Sequence, residues 1–107
     1  MVTILVDKHD LKKIEETCKK LGLSAKILDP ANIDNSDSLY IIDYTHTYGV
    51  GLAKKIKAEN PGTKILMFYP LVRDYVRTEI EKMNFVAYES SDFFSKLKDI
   101  IKANMKS

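Results

Sequence analysis

The sequence has one cysteine, Cys18, no tryptophan, and no apolar run close to the roughly 20 residues of a membrane span. A single cysteine cannot form an internal disulfide bond, which predicts a cytoplasmic, reducing location. The charges nearly balance, with 17 basic side chains against 15 acidic ones, and the lysines are scattered among acids. The sequence therefore predicts a protein that binds neither nucleic acid nor a membrane.

Glycine is also scarce, with four residues in the chain. Gly49 and Gly51 are separated and followed by Leu52, so they do not form the glycine-rich loop that cradles phosphates. No pair of nucleophile and base is evident, and we expect no enzymatic turnover. A protein that binds a small ligand remains an alternative. The length of 107 residues predicts one domain, residues 1–107, with an ordinary apolar core.

Short apolar runs alternate with amphipathic segments along the chain. The predicted strands are 2–6, 24–28, 39–43, 64–69 and 85–88, and the predicted helices are 11–21, 50–59, 72–83 and a last one after residue 92. Asp10 and Asp92 are the predicted N-caps of the first and last helices, and Gly22 and Asn84 the predicted left-handed residues at helix ends. Residues 29–38 are too few for a full crossover, so the second helix is expected to be short or missing.

Strands that alternate with helices predict a parallel sheet with helices on both faces. Right-handed crossovers between five strands favour the order 2-1-3-4-5, which is the flavodoxin-like α/β fold. The strand 39–43 has four apolar residues and ends in Asp43. Since strands 1 and 3 are neighbours in this order, Asp7 and Asp43 are expected to face one crevice at the carboxyl end of the sheet, where such folds bind ligands.

Over essentially its whole length the chain resembles the receiver domain of bacterial two-component response regulators. The resemblance rests on the strand that ends in Asp43 and on Gly51, eight residues later, which opens the helix from Leu52 to Ile56. The fourth strand and the position of Tyr88 also fit. The resemblance implies a signalling module of a phosphorelay, with Asp43 at the position of the phospho-acceptor.

The chemistry of that family needs an acceptor aspartate, two acids that help to hold Mg²⁺, a hydroxyl after the fourth strand and a lysine after the fifth. Carried over by resemblance, Asp7 stands at the first acid position and Lys8 at the second. Tyr69 replaces the hydroxyl residue and Ser91 replaces the lysine. We therefore expect a degenerate, pseudo-receiver site without a cofactor, in which Lys8 pairs with Asp7 or Asp43. Asp7 and Asp43 are the metal ligands only if the site is active.

The resemblance also implies switch-like roles for Tyr69, Tyr88 and Ser91. We expect Tyr69 to fill the space that a phosphoryl group would need and to lock one state. A core tyrosine whose hydroxyl reaches water is the alternative. A second alternative concerns His9 and His46, which together with the two acids would form a soft metal site.

The leading hypothesis is a receiver-like regulatory module that acts by protein–protein interaction, without the usual Mg²⁺-dependent phosphorylation. The alternative is an active single-domain response regulator phosphorylated on Asp43. The expected partner is another signalling protein or a second copy, bound through the helix 72–83, the strand 85–88 and the last helix. We name this surface the partner face, and its candidate residues are Arg73, Tyr75, Arg77, Glu81, Lys96 and Asp99.

Overall fold

A computed structural model describes residues 1–29, 31, 39–70 and 75–105. Within these residues, five parallel strands form one sheet in the order β2-β1-β3-β4-β5, which confirms the predicted architecture. The elements are β1 Val2–Leu5, α1 Lys8–Lys20, β2 Ala25–Ile27, β3 Leu39–Asp43, α2 Gly49–Glu59, β4 Lys64–Tyr69, α3 Tyr75–Lys82, β5 Val86–Glu89, α4 Ser90–Ser95 and α5 Leu97–Met105. Most of the expected second helix, and Arg73 of the partner face, lie outside the described residues.

The register of the sheet brings the carboxyl ends of β1 and β3 side by side. Leu5 pairs with Ile42, one residue before Asp43, and Asp43 itself pairs with Phe68 on β4. Every residue of the central strands β1 and β3 is buried except Asp43, the last residue of β3, because helices cover both faces of the sheet.

Alternate residues of each strand enter two separate apolar layers. The layer beneath α2 and α3 contains Leu5, Tyr40, Ile42, Ile65, Met67, Tyr69 and Ala87 from the strands. The layer beneath α1, α4 and α5 contains Val2, Ile4, Leu39, Ile41, Leu66 and Phe68. Phe68 stacks on Phe93 of α4, with ring centroids 4.8 Å apart. Each fully buried aliphatic or aromatic side chain stabilises the fold by roughly 1.5–3 kcal/mol.

Helix α1 begins three residues earlier than predicted, and its N-cap is Asp7, not Asp10. Asp7 has extended backbone angles, and its side chain accepts a hydrogen bond from the backbone N–H of Asp10. A capping aspartate stands outside the helix and bonds the N–H of its second or third residue, a geometry that this pair satisfies. Asp10 therefore lies inside the first turn of α1, beside the carboxyl end of the sheet.

The chain after β5 also differs from the prediction of one final helix. It forms α4 and α5, which are interrupted at Lys96, and Asp92 lies inside α4 and does not cap it. The hydroxyl of Ser95 donates to the Asp92 carbonyl, which also accepts the N–H of Lys96, and this competition accompanies the break.

Two helix-end predictions are confirmed. Gly22 and Asn84 have φ values of 72° and 64°. In the described part of the chain, no helix has the length and apolar character needed to cross a membrane.

Candidate functional site

Three carboxylates gather at the carboxyl end of the sheet. Asp7 follows β1, Asp10 lies in the first turn of α1, and Asp43 ends β3. One carboxylate oxygen from each residue lies within 4.8 Å of the others. The structure thus brings Asp7 and Asp43 together and adds Asp10, which was predicted to be the N-cap of the first helix. We call this group the acid site.

Hydrogen bonds to one oxygen of each orient two of these carboxylates, and the described residues place no hydrogen-bond donor on their second oxygens. Oδ1 of Asp7 accepts the N–H of Asp10 at 3.0 Å. Oδ1 of Asp43 accepts both the N–H and the hydroxyl of Thr45, at 2.9 and 2.8 Å. The N-terminus of α1 lies at the same place, and its positive end favours nearby negative charge. These contacts hold the carboxylates of Asp7 and Asp43 in defined positions within the acid site.

The pKa of Asp10 is raised above its ordinary value. Burial is the largest cause, followed by the negative charges of Asp7 and Asp43, whereas His9 and Lys13 lower it. Carboxylates placed this close oppose one another's ionisation unless a cation joins them. Burial and the two neighbouring carboxylates therefore both favour the protonated form of Asp10.

Lys8 does not pair with the carboxylates of the acid site. It is the first residue of α1, its side chain is exposed, and in the described part of the chain it makes no salt bridge with Asp7 or Asp43. The expected structural ion pair is therefore not formed, because the cap turns Asp7 toward Asp10 while the lysine extends into solvent.

The two histidines do not join the acids. Nδ1 of His46 accepts the N–H of Tyr48 at 3.2 Å, which occupies one of its two possible ligand atoms. Among the described residues, the acid site is a group of three potential metal ligands that contains neither His9 nor His46. The soft metal site considered from the sequence is therefore not assembled.

The loop after Asp43 closes tightly and requires a glycine at its end. His46 donates its N–H to the Asp43 carbonyl at 3.1 Å, and Gly49 donates to the His46 carbonyl at 3.0 Å. A Cβ on Gly49 would lie 2.6 Å from the Asp43 carbonyl oxygen, whereas one on Gly51 would meet nothing within 4 Å. The glycine that the resemblance rests on is therefore not the one that the site needs sterically.

Tyr69 and Tyr88 lie on opposite faces of the sheet. Tyr69 is 6% exposed, ends β4 and belongs to the layer beneath α2 and α3. Tyr88 is in register with Phe68 and packs in the other layer, where its hydroxyl accepts a hydrogen bond from Asn104 at 3.4 Å. The two tyrosines therefore do not form one packed pair.

The end of β5 is acidic. The strand consists of Val86, Ala87, Tyr88 and Glu89, and helix α4 begins at the next residue. Ser91, at the position where the resemblance places a lysine, lies in the first turn of α4 and donates its hydroxyl to the Glu89 carboxylate. Strand β4 therefore ends in the buried phenol of Tyr69, and β5 ends in the carboxylate of Glu89, which is hydrogen-bonded to Ser91.

Cys18 is fully buried on α1. Burial raises the pKa of its thiol, and the charge of Glu15 adds to this effect. The thiol therefore stays protonated and packed in the core, away from the acid site.

The described residues of the partner face are on the surface of α3 and around α5. Tyr75 is 51% exposed, and Arg77 and Glu81, which lie on a different side of α3 from Tyr75, form a salt bridge of 3.6 Å. Lys96 and Asp99 are exposed at the junction and first turn of α5. The face offers one exposed aromatic ring among charges of both signs.

No protein-family model and no curated protein sequence matches the chain. Among solved structures, the BeF3-activated receiver domain of DrrB from Thermotoga maritima matches with a TM-score of 0.79 and 20% identity, covering 99% of this chain and 96% of that one. The receiver domain of the Francisella response regulator 1452 has a TM-score of 0.79 at 16% identity, with 97% and 94% covered. The receiver domain of NtrX from Brucella abortus has a TM-score of 0.73 at 13% identity, with 98% of both chains covered. The chain therefore has the receiver-domain fold of two-component response regulators.

Proposed function

We propose that the chain is a receiver-like signalling module that acts by protein–protein contact, and that its acid site binds a divalent cation without accepting a phosphoryl group. The observation that supports both cation binding and the lack of phosphorylation is the contrast between the acid site and the residues at the phosphoryl-binding positions. Asp7, Asp10 and Asp43 lie together in the acid site, while Tyr69 and Ser91 stand, by resemblance, at the positions that bind phosphoryl oxygens in the family.

The acid site fits Mg²⁺ by the chemistry of its ligands. Carboxylate oxygens are the ligands that this hard cation prefers. Two unit charges about 5 Å apart repel by roughly 3 kcal/mol at an effective dielectric constant near 20, so a cation held by Asp7, Asp10 and Asp43 relieves a substantial penalty. In an active receiver such an ion neutralises the charge that develops on the transferred phosphoryl group.

Tyr69 and Ser91 do not fit the binding of a phosphoryl group. Tyr69 is bulky and packed in the core, and Ser91 is directed to Glu89, whose negative charge repels phosphoryl oxygens. Loss of one preorganised donor typically lowers a rate about 10²–10³-fold, and here both positions depart from the family. We therefore propose that the protein has no enzymatic turnover and that Asp43 remains unmodified in its working state.

The output in this proposal is a contact with another signalling protein or a second copy through the partner face. The exposed ring of Tyr75 supplies apolar area, and the Arg77–Glu81 pair supplies charges of both signs, which suit a reciprocal contact.

The proposal is tested by incubating the protein with acetyl phosphate and Mg²⁺ and measuring its intact mass, with the DrrB receiver domain as a positive control. We expect no adduct under conditions that modify the control. An adduct with the mass of one phosphoryl group that is absent from Asp43→Asn would overturn the proposal.

That result would establish the second candidate, an active receiver phosphorylated on Asp43. One observation favours it. Asp10 lies in the first turn of α1 beside Asp7 and Asp43, where it would provide a third carboxylate in place of the acid that Lys8 replaces.

A further inference from the structure

Tyr44 connects the loop of the acid site to helix α3. It directly follows Asp43, and its backbone N–H donates to the Phe68 carbonyl at 3.0 Å, which holds it against the end of β4. Its hydroxyl donates to Oε2 of Glu79 on α3 at 3.1 Å, across 35 positions of sequence. One residue therefore has its backbone fixed beside the acid site and its hydroxyl fixed to the helix that bears much of the partner face.

This contact spans a groove between α2 and α3. The groove has a volume of about 480 Å³ and is lined by Tyr44, Val50, Lys54, Glu79, Lys82 and Met83. The ring of Tyr44 packs at the margin of the apolar layer, together with Val50 and Met83. Tyr44 and Glu79 both line this groove, and their hydrogen bond links the loop after β3 to α3.

The acid site is attached to the same backbone. Oδ1 of Asp43 holds the N–H and hydroxyl of Thr45, so Tyr44 lies between two residues that a ligand of the Asp43 carboxylate would move. Tyr88 packs on the other face of the sheet, whereas Tyr69 packs in the apolar layer that also contains Val76 and Ile80 of α3.

We propose that Tyr44 is a positioning residue that couples the acid site to α3 through Glu79. This inference rests on the proposed function, since it names how cation binding is transmitted to the partner face. Cation binding at Asp43 moves the loop 43–48, and the Tyr44 hydroxyl carries that movement to α3. By linkage, a partner that repositions α3 changes the affinity of the acid site for the cation by the same factor.

The test uses the whole chain and two-dimensional amide NMR with Mg²⁺ as the probe. Tyr44→Phe removes the hydroxyl, and its matched control is Tyr48→Phe, in the same loop at a residue that is 64% exposed. Glu79→Ala removes the acceptor, Glu79→Gln retains an oxygen acceptor, and Glu81→Ala is the control on the same helix. We expect Mg²⁺ to shift amides 7–10 and 43–48 in every variant. We expect the shifts at 79–82 to be lost in Tyr44→Phe and Glu79→Ala alone.

If Mg²⁺ shifts amides 79–82 in Tyr44→Phe as much as in the wild type, the coupling is overturned. It is also overturned if Mg²⁺ shifts the amides of the acid site in the wild type but leaves amides 79–82 unchanged. If Mg²⁺ shifts no amide in the wild type, the cation half of the proposed function fails, and Asp43→Asn serves as the input instead. The coupling is then supported if Asp43→Asn shifts amides 79–82 in the otherwise wild-type chain but not in the Tyr44→Phe variant. Any other pattern of those shifts overturns it.

Discussion

The backbone N–H of Asp10 donates a hydrogen bond of 3.0 Å to the carboxylate of Asp7. The residue that caps α1 and the residue three positions later therefore hold each other in place, and both carboxylates meet Asp43 at the end of β3. The cap is thus part of the acid site, and the consequences are measurable.

Asp10→Asn removes one of the three anions but retains the backbone N–H that Asp7 accepts. We expect the affinity for Mg²⁺, measured by calorimetry, to fall by about tenfold or more, since even a supporting residue of a metal site is typically worth 10–100-fold. Glu16→Gln removes an exposed acid from the same helix and is the matched control. Equal affinities in the two variants would contradict a role for Asp10 as a ligand.

Asp10 also makes the stability of the metal-free protein depend on pH. Its pKa is higher in the folded chain than its ordinary value of 3.8, so the folded state binds this proton more tightly than the unfolded state. The resulting contribution to the free energy of unfolding is present below the unfolded pKa and is lost as pH rises through the folded pKa. Relative to Asp10→Asn, the wild type should therefore lose stability as pH is raised from about 4, where aspartate normally titrates. Urea unfolding in a chelator measures this difference, and a difference that grows in the opposite direction would refute the assignment.

Gly49→Ala places a methyl group 2.6 Å from the Asp43 carbonyl oxygen. We expect a loss of roughly 1–3 kcal/mol in the free energy of unfolding, the usual effect of overpacking, together with altered amide shifts at Asp43 and His46. Gly51→Ala is the control, because its methyl group meets open space inside α2, and it should stabilise the helix by about 0.5–1 kcal/mol. Similar effects of the two substitutions on chemical denaturation would show that the loop does not need glycine at position 49.

Tyr69→Thr restores a hydroxyl residue of the size that the family uses after its fourth strand. Because the Tyr69 ring is buried beneath α2 and α3, we expect a loss of about 2–5 kcal/mol in unfolding free energy, whereas Tyr69→Phe stays close to the wild type. We also expect no phosphorylation by acetyl phosphate, because β5 still ends in Glu89. A stable, phosphorylated Tyr69→Thr protein would show instead that the tyrosine alone blocks the site, as the locking interpretation holds.

The sheet and its strand order could be predicted from patterns of residues that are close together in the sequence. Apolar runs such as 39–42, alternating with amphipathic segments, are sufficient to predict parallel strands covered on both faces, and the order then places Asp7 beside Asp43. The prediction of Asp10 as the N-cap of α1 was wrong, because residue type does not distinguish Asp10 from Asp7 three positions earlier. Only the three-dimensional path of the chain shows which one stands outside the helix.

The rest of the site depends on relationships that a linear motif does not record. The family pattern places its acids next to each other, so Lys8 suggested a lost ligand, although one turn of helix returns Asp10 to the same place. The separation of Tyr69 from Tyr88 depends on the register, in which Tyr69 pairs with Glu89. Gly49 is required because of a carbonyl that the folded loop brings near, and the sequence holds no direct sign of it.

The central claim is that the acid site binds a divalent cation and takes no phosphoryl group. The most direct test is a two-dimensional amide NMR titration of the wild-type chain with Mg²⁺, followed by beryllofluoride, which mimics an aspartyl phosphate. We predict saturable shifts at Asp7, Asp10 and Asp43 with Mg²⁺ and no further shifts when beryllofluoride is added. Additional shifts at Asp43 and Tyr69 with beryllofluoride, or a complete absence of shifts with Mg²⁺, would contradict the claim.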